Sequence, residues 1–293
     1  YPCNGPFQLK RNEPHQGYQL IKNPFYWDTS RVRLDQIILS NMTPAQALQA
    51  FQKEEVDWIG QPFGGFHPSY TSVGEGNLIT SPNISVCWLV FNTRKAPFSH
   101  IKLRKAFAYL IDRVQLIQGS FFNLEEAYSV LMPHYRKSME VVFPQKDIEQ
   151  AKILFEESLQ ELNIKKEEFP PIQLVFSDRG NNRNVVASFQ KQVKEALGLK
   201  CNFEAFSSAA SCFNAVTNGD FEVSLVYWSP WIEDPIDTLG AFKFADEGVN
   251  FPKWENLQFR KLMEISDTES NPFLRSSHLL SAEAILADEV PVI

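Results

Sequence analysis

The sequence predicts a mixed α/β protein in two parts that meet near residues 90–93. Short apolar runs typical of strands alternate with longer segments whose apolar residues repeat at the helical spacing. The region before the boundary is rich in predicted strands, and the region after it is rich in predicted helices. A chain of 293 residues has room for two domains, and we place them at residues 1–92 and 93–293.

The first part contains predicted strands and one clearly marked helix. Its apolar runs lie at residues 7–10, 18–22, 34–39 and 56–59. Thr43 fits an N-cap, Pro44 fits the first helical position, and Gln46 completes a capping box, so a helix begins here. The last two runs flank this helix, which predicts a β-α-β order. Residues 61–76 are rich in Gly and predict a loop.

The second part repeats the alternation of strands and helices. Predicted strands lie at residues 85–91, 172–176, 201–206 and 221–228. The last of these is almost continuously apolar, which suits a strand buried on both faces. Helices are predicted after Ser99, after Asp147, around residues 186–197, and from Asn271 to near Ala287. Residues 289–293 have the pattern of a further strand.

Composition and motifs argue against several functions. The net charge of −7 and the dispersed basic residues disfavour nucleic-acid binding. The four cysteines have no CxxC spacing, and the histidines form no HExxH, so we expect no metal and no cofactor. A disulfide between Cys201 and Cys212 is conceivable, and free buried thiols are an equal alternative. The sequence contains neither a GxSxG nor a P-loop pattern, so we expect that the protein is not an enzyme.

Three groups of motifs occur in a consistent order. They lie at residues 4–9 with 20–28, at 91–98 with 103–113, and at 219–223 with 227–235. The first contains Gly-Pro-Phe and Asn-Pro-Phe-Tyr-Trp, the second contains Pro-Phe and Asp-Arg, and the third contains Tyr-Trp and Glu-Asp-Pro. Together they resemble the family 5 solute-binding proteins of ABC importers, the group of oligopeptide- and dipeptide-binding proteins.

This resemblance implies a periplasmic-binding-protein-like fold of the type II or cluster C class. The chain would hold an incomplete first lobe and an essentially complete second lobe. It implies a substrate-binding component that captures oligopeptides or peptide-like solutes between lobes and delivers them to a membrane permease. It also implies a bacterial protein of the periplasm or a cell-envelope lipoprotein, although the chain carries no signal segment of its own.

The resemblance and the predicted elements suggest where a ligand would bind. The candidate residues are Gln61, Trp88, Phe91, Asn92, Asn182, Trp228, Ser229 and Trp231. Many family members carry an aspartate at the position of Trp231, where it neutralises the amino group of the peptide. Trp231 either stacks on a ligand or packs into the lobe. Glu233 or Asp234 either replaces the missing carboxylate or forms the turn before Pro235, and we favour the turn.

Two other functions remain open at this stage. One is a binder of the same fold for another solute, such as nickel, a sugar or a modified amino acid. The other is a truncated interaction protein with no role in transport. A ligand screen by thermal shift separates them, because a bound ligand stabilises the folded state.

Overall fold

The computed structural model describes residues 3–13, 17–62, 67–79, 85–118, 124–132, 135 and 142–293. Residues 14–16, between the first two predicted strands, and residues 63–66 of the predicted loop lie outside this set. The chain divides into two compact units, Tyr1–Ser81 and Pro82–Ile293. This division comes earlier than the predicted boundary between residues 92 and 93, because the strand Val86–Phe91 pairs within the second unit.

The first unit contains an antiparallel sheet of strands β1 (Phe7–Glu13), β2 (Gly17–Lys22) and β3 (Gln36–Leu39), in that order. Helix α1 (Pro44–Gln52) follows and begins as predicted. The Thr43 hydroxyl accepts from the Gln46 amide at 3.4 Å, and the Gln46 side chain accepts from the Thr43 amide at 2.9 Å. Short 3-10 helices cover Thr29–Arg31, Pro68–Val73 and Glu75–Asn77.

The predicted strand at residues 56–59 was wrong. These residues form bends and irregular backbone after α1, and they pair with no strand in the described part of the chain. Left-handed backbone at Glu54, with φ of 62°, and positive φ at Gly60 turn the chain on either side of the run. An apolar run of four residues needs a neighbouring strand to remain extended. The predicted β-α-β order is therefore absent from this unit.

The second unit contains a mixed sheet of strands β4 (Val86–Phe91), β5 (Ile172–Ser177), β6 (Cys201–Phe206) and β7 (Val223–Trp228). Their order is β4-β7-β5-β6. Strand β5 runs parallel to β6 and β7, while β4 runs antiparallel to β7. Residues 291–293 also lie along β4, where Val292 bridges to Val90. The strand predicted at residues 289–293 is therefore confirmed for its last three residues, while Glu289 is helical and Val290 caps that helix.

Helices cover both faces of this sheet. They are α2 (Ile101–Leu110), α3 (Arg113–Ile117), α4 (Ile148–Leu162), α5 (Asn182–Leu197), α6 (Ala209–Asn218), α7 (Pro235–Gly240), α8 (Leu257–Thr268) and α9 (Pro272–Glu289). Asp147 caps α4 as predicted, whereas α2 begins after His100 rather than after Ser99. No described helix has the length and apolar content needed to cross a bilayer.

Successive residues of β4 enter different hydrophobic cores. Leu89 and Phe91 pack with α2, α4 and α5, while Trp88 and Val90 pack with α6 to α9. This alternation follows from the two-residue repeat of a strand. The α/β class predicted from the sequence is therefore confirmed. Cys201 and Cys212 are free thiols in different cores, so the disulfide considered above is not formed.

A buried arginine joins α2 to the end of the chain. The Arg104 guanidinium donates to the carbonyls of Glu289 and Val290 at 3.0 and 3.1 Å, and to Phe98 and Ser99 at 2.8 and 3.2 Å. Burial lowers the pKa of Arg104 to about 10, and the Glu289 carboxylate partly opposes this shift. The four carbonyl contacts hold the final segment beside β4.

We expect Arg104→Ala to lower the free energy of unfolding by about 2–4 kcal/mol, because it leaves buried carbonyls without a donor. The adjacent Lys105 makes one ion pair with Asp288 at the surface. Lys105→Ala is therefore the matched control and should change stability by less than about 1 kcal/mol. Urea unfolding followed by circular dichroism measures both. Equal losses in the two variants would contradict this role for Arg104.

The first unit leaves many apolar side chains exposed. Phe25, Trp27 and Ile79 are largely exposed, and Ile38 on β3 is 64% exposed. Strand β3 lies at the edge of its sheet and pairs only with β2 in the described part of the chain. An open strand edge that carries exposed apolar residues promotes association.

The chain should therefore associate with itself in a concentration-dependent way, and Ile38→Lys should reduce this association. A lysine on an edge strand disfavours pairing with a second chain because its charge must lose water. Ile153→Lys is the control, since Ile153 is 52% exposed on a helix of the second unit. Static light scattering across a concentration series would refute the expectation if the parent chain remained monomeric throughout.

Candidate ligand-binding site

The direction of the strands defines one edge of the second sheet. Strands β5, β6 and β7 are parallel, so their carboxyl ends meet at the same edge. Strand β4 starts there because Val86 pairs with Trp228. We call this the carboxyl edge, comprising Ser85, Tyr227, the β5–α5 loop (178–181) and the β7–α7 loop (229–234). Ligands of α/β sheets bind beyond the carboxyl ends of the strands.

Trp231 is the most exposed of the predicted site residues in the second unit. Its side chain is 90% exposed, which excludes the alternative that it packs into the core of this unit. Its backbone amide donates to Oδ2 of Asp237 at 2.9 Å. Asp237 lies in the first turn of α7, so the helix holds the backbone of Trp231 while the indole faces solvent.

The neighbouring Asp234 has a structural role. It caps α7 by accepting from the Ile236 amide at 2.9 Å, and Arg275 donates to both of its oxygens at 2.9 Å. Burial tends to raise the pKa of Asp234, but the Arg275 and Ile236 hydrogen bonds outweigh it and the pKa falls below its usual value. The turn predicted at Asp234 is confirmed. Glu233 is exposed.

Tyr135 marks where several carboxylates of this region converge. Burial contributes most to raising the pKa of its phenol, and the charges of Glu233, Asp234 and Asp237 raise it further. An anionic phenolate would be repelled by all three carboxylates. The side of the carboxyl edge that carries Trp231 is therefore electronegative.

Asn182 and Tyr227 connect two strands at the carboxyl edge. The Tyr227 hydroxyl donates to Oδ1 of Asn182 at 2.8 Å, and Nδ2 of Asn182 donates to the Ser177 carbonyl at 2.8 Å. Asn182 is buried and already bonded, whereas Tyr227 is half-exposed. Ser229 is exposed, and its hydroxyl contacts that of Ser85. The accessible residues at this point are therefore Tyr227 and Ser229.

Trp88 and Trp228 form the wall beneath the carboxyl edge. Both are buried, and their rings stack with centroids 5.8 Å apart and planes 12° from parallel. Nε1 of Trp228 donates to the Thr238 hydroxyl at 3.2 Å, which fixes the ring against α7. Because both tryptophans are buried, they support the carboxyl edge from beneath.

The structure does not bring Phe91 and Asn92 to this edge. They lie at the other end of β4, where Phe91 pairs with Val223. Phe91 is fully buried and stacks on Phe98, with ring centroids 4.8 Å apart. Nδ2 of Asn92 donates to the carbonyls of Gly219 and Phe221 at 3.0 and 3.1 Å. Both residues therefore support the core and the opposite edge.

Gln61 lies in the first unit, in an exposed turn, and its carbonyl accepts from Nε1 of Trp58 at 2.6 Å. Residues that the sequence reasoning missed at the carboxyl edge are Ser85, Tyr135, Tyr227 and Asp237. Tyr227 carried a usable signal, since it precedes the predicted end of its strand. Asp237 carried none, because its contact depends on how α7 turns back towards the loop.

Comparison with known proteins agrees with this geometry. The family model for bacterial extracellular solute-binding proteins, family 5, matches residues 1–250. The chain belongs to this family. The chain is 29% identical over 302 residues to the oligopeptide-binding protein OppA of Bacillus subtilis and 24% identical over 306 residues to the dipeptide-binding protein DppE of the same organism. These alignments cover 100% and 99% of this chain but 55% and 54% of the relatives, so the chain spans about half their length.

A solved structure shows the same fold. The ABC transporter substrate-binding protein CtaP of Listeria monocytogenes matches with a TM-score of 0.82 at 19% identity. The match covers 99% of this chain and 59% of that protein. The periplasmic-binding-protein-like fold expected from the motifs is therefore confirmed.

The Asp234–Arg275 ion pair should stabilise the β7–α7 loop in a pH-dependent way. Asn caps helices as well as Asp, so Asp234→Asn removes mainly the charge. With Arg275→Gln and the double variant, we expect a coupling free energy of about 1 kcal/mol at pH 7. The folded pKa of Asp234 is lowered, so this coupling is full above about pH 4, the usual value for Asp, and disappears as pH falls through the folded pKa.

Urea unfolding of the four proteins between pH 2.5 and 7 measures this coupling. Glu149 and Lys152 form an exposed pair on α4 and provide the control cycle, whose coupling should be smaller at pH 7. A coupling at Asp234 that stays constant down to pH 2.5 would contradict the assignment.

Proposed function

We propose that this chain is part of the substrate-binding component of an ABC importer, and that it captures oligopeptides or peptide-like solutes for delivery to a membrane permease. The observation that carries the proposal is the exposed indole of Trp231 at the carboxyl edge, where Asp237 accepts from the backbone amide of the same residue. The family assignment and the peptide-binding names of the two Bacillus relatives support it. The same names favour peptides over nickel, a sugar or a modified amino acid.

The carboxyl edge would supply one wall of the ligand site. Trp231 and Tyr227 offer aromatic faces, and the Ser229 hydroxyl offers a donor and an acceptor for a peptide main chain. Trp88 and Trp228 would hold this wall from beneath, and Asn182 would fix Tyr227. Contact of Gln61, Phe91 or Asn92 with a ligand stays a prediction, and for the last two the packing argues for a structural role.

The proposed protein acts by binding and carries out no reaction. The two Bacillus relatives are named as oligopeptide- and dipeptide-binding proteins, which supports this. Members of this family are extracellular solute-binding proteins. We place this protein in the cell envelope and propose a lipid anchor on the complete protein. Its partners would be the peptide and the permease.

Replacing Trp231 tests how the amino terminus of a peptide is recognised. In the complete reading frame, Trp231→Asp should bind peptides with a free amino terminus about tenfold more tightly than their acetylated forms, because a carboxylate pairs with the ammonium group. The parent protein should show a smaller ratio. Isothermal titration calorimetry with matched free and acetylated peptides measures both ratios.

Leu257→Ala is the control for this experiment. Leu257 is exposed at the start of α8, close in sequence to Pro252, which accepts from Thr93 beside the opposite edge of the sheet. The control should bind as the parent does. Equal affinity for free and acetylated peptides in both the parent and Trp231→Asp would refute this role for position 231. Failure of the parent to bind any peptide would overturn the proposed function.

A further inference from the structure

Two aromatic side chains are accessible at the carboxyl edge, and the backbone that carries each of them is held in place. Trp231 is 90% exposed and its amide is held by Asp237, while Tyr227 is 52% exposed and belongs to β7. The apolar surface of an exposed indole remains in water, so the side chain does not gain the favourable free energy that burial would give. The backbone at both positions is already fixed, so a ligand that covers these rings need not order the chain that carries them. Such rings are suited to stacking against a planar or cationic group.

The charge beside Trp231 narrows the choice of ligand. Glu233, Asp234 and Asp237 all act on the Tyr135 phenol, so their carboxylates lie on one side of the edge. Arg275 pairs with Asp234 and offsets its charge. Among the described residues, neither Glu233 nor Asp237 forms an ion pair with a basic side chain.

The β5–α5 loop contributes a single net positive charge. Arg183 donates to both oxygens of Asp178 at 2.7 and 2.6 Å, so these two charges offset each other. Arg179 adds one positive charge in that loop. Among the described residues, the β7–α7 loop and α7 therefore hold two carboxylates near Trp231 that have no basic partner, while the Arg179 cation lies in the neighbouring loop after β5. A cation next to Trp231 gains from the ring and from these carboxylates together.

We propose that Trp231 selects ligands that present a cationic side chain, and a guanidinium in particular. The inference rests on the proposed function and names the class of peptide that this site prefers. A guanidinium is planar, stacks on an indole, and is more weakly hydrated than an ammonium group. An acidic side chain at the same place would be repelled by Glu233 and Asp237, and a neutral one would lack the attraction of their charge.

The test uses the protein from the complete reading frame and five-residue alanine peptides that are acetylated and amidated. One position at a time carries arginine, citrulline, glutamate or phenylalanine. Citrulline has nearly the shape of arginine without its charge, and the blocked ends remove the α-amino group as a source of cation. At one position at least, calorimetry should show arginine bound about tenfold more tightly than citrulline, with glutamate weakest.

Variants assign this preference to the site. Trp231→Ala should reduce the arginine-to-citrulline ratio to about twofold or less, and Trp231→Phe should retain part of it because a phenyl ring also attracts cations. Glu233→Gln should reduce the ratio about threefold. Raising the salt concentration should lower the ratio of the parent, since exposed charges are screened. Leu257→Ala should leave the ratio unchanged.

The outcomes distinguish failure of the proposed cation preference from failure of the proposed function. Equal affinity for arginine and citrulline peptides in the parent, at every position, overturns the inference and leaves peptide binding intact. A preference that persists in Trp231→Ala also overturns it, because the cation is then recognised elsewhere. A gain that appears only with a free α-amino group shows that the main chain, not a side chain, supplies the cation and refutes the proposal. Absence of binding to all peptides overturns both this inference and the proposed function.

Discussion

The antiparallel pairing of β4 with β7 determines the arrangement of the second unit. It places Val86 opposite Trp228 and Phe91 opposite Val223, which assigns every residue of β4 to one end of the sheet and to one of the two cores. The stacking of Trp88 on Trp228 follows from this register, since the two residues point to the same face on adjacent strands. A shift by one residue would exchange the two cores and separate these rings.

Signals that lie within a few residues of one another predicted the structure well. The capping box at Thr43 and the cap at Asp147 depend on side chains that bond to amides three residues later, and both form. The strand predicted at residues 56–59 does not form, because a strand depends on contacts that are distant in the sequence. A strand requires a partner elsewhere in the chain, and a local apolar pattern contains no information about whether that partner exists.

Prediction of the candidate site was limited in the same way, because its contacts join residues that are far apart in the sequence. Trp231 was identified because it stands where the family resemblance places an aspartate, three residues after the end of a predicted strand, and this spacing is a local property of the sequence. Phe91 was assigned to the site because it lies at the predicted crossing between the two parts, but β4 runs opposite to β7 and its carboxyl end lies at the other edge. The contacts of Trp231 with Asp237 and of Asp234 with Arg275 depend on how α7 and α9 fold back, so sequence spacing alone could not reveal them.

These contacts explain how the protein keeps a large apolar ring in water without losing its position. The Asp237 carboxylate holds the amide of Trp231, and the Asp234–Arg275 pair fastens the next part of the loop to α9. A mobile loop would lose conformational entropy each time a ligand bound, which would offset the contact with the ring. Because the loop is fixed beforehand, a ligand that covers the indole does not also have to order the loop. The acidic residues of this loop thus have two effects, since Asp234 and Asp237 fix its geometry and their charges, with that of Glu233, shape the field that a ligand encounters.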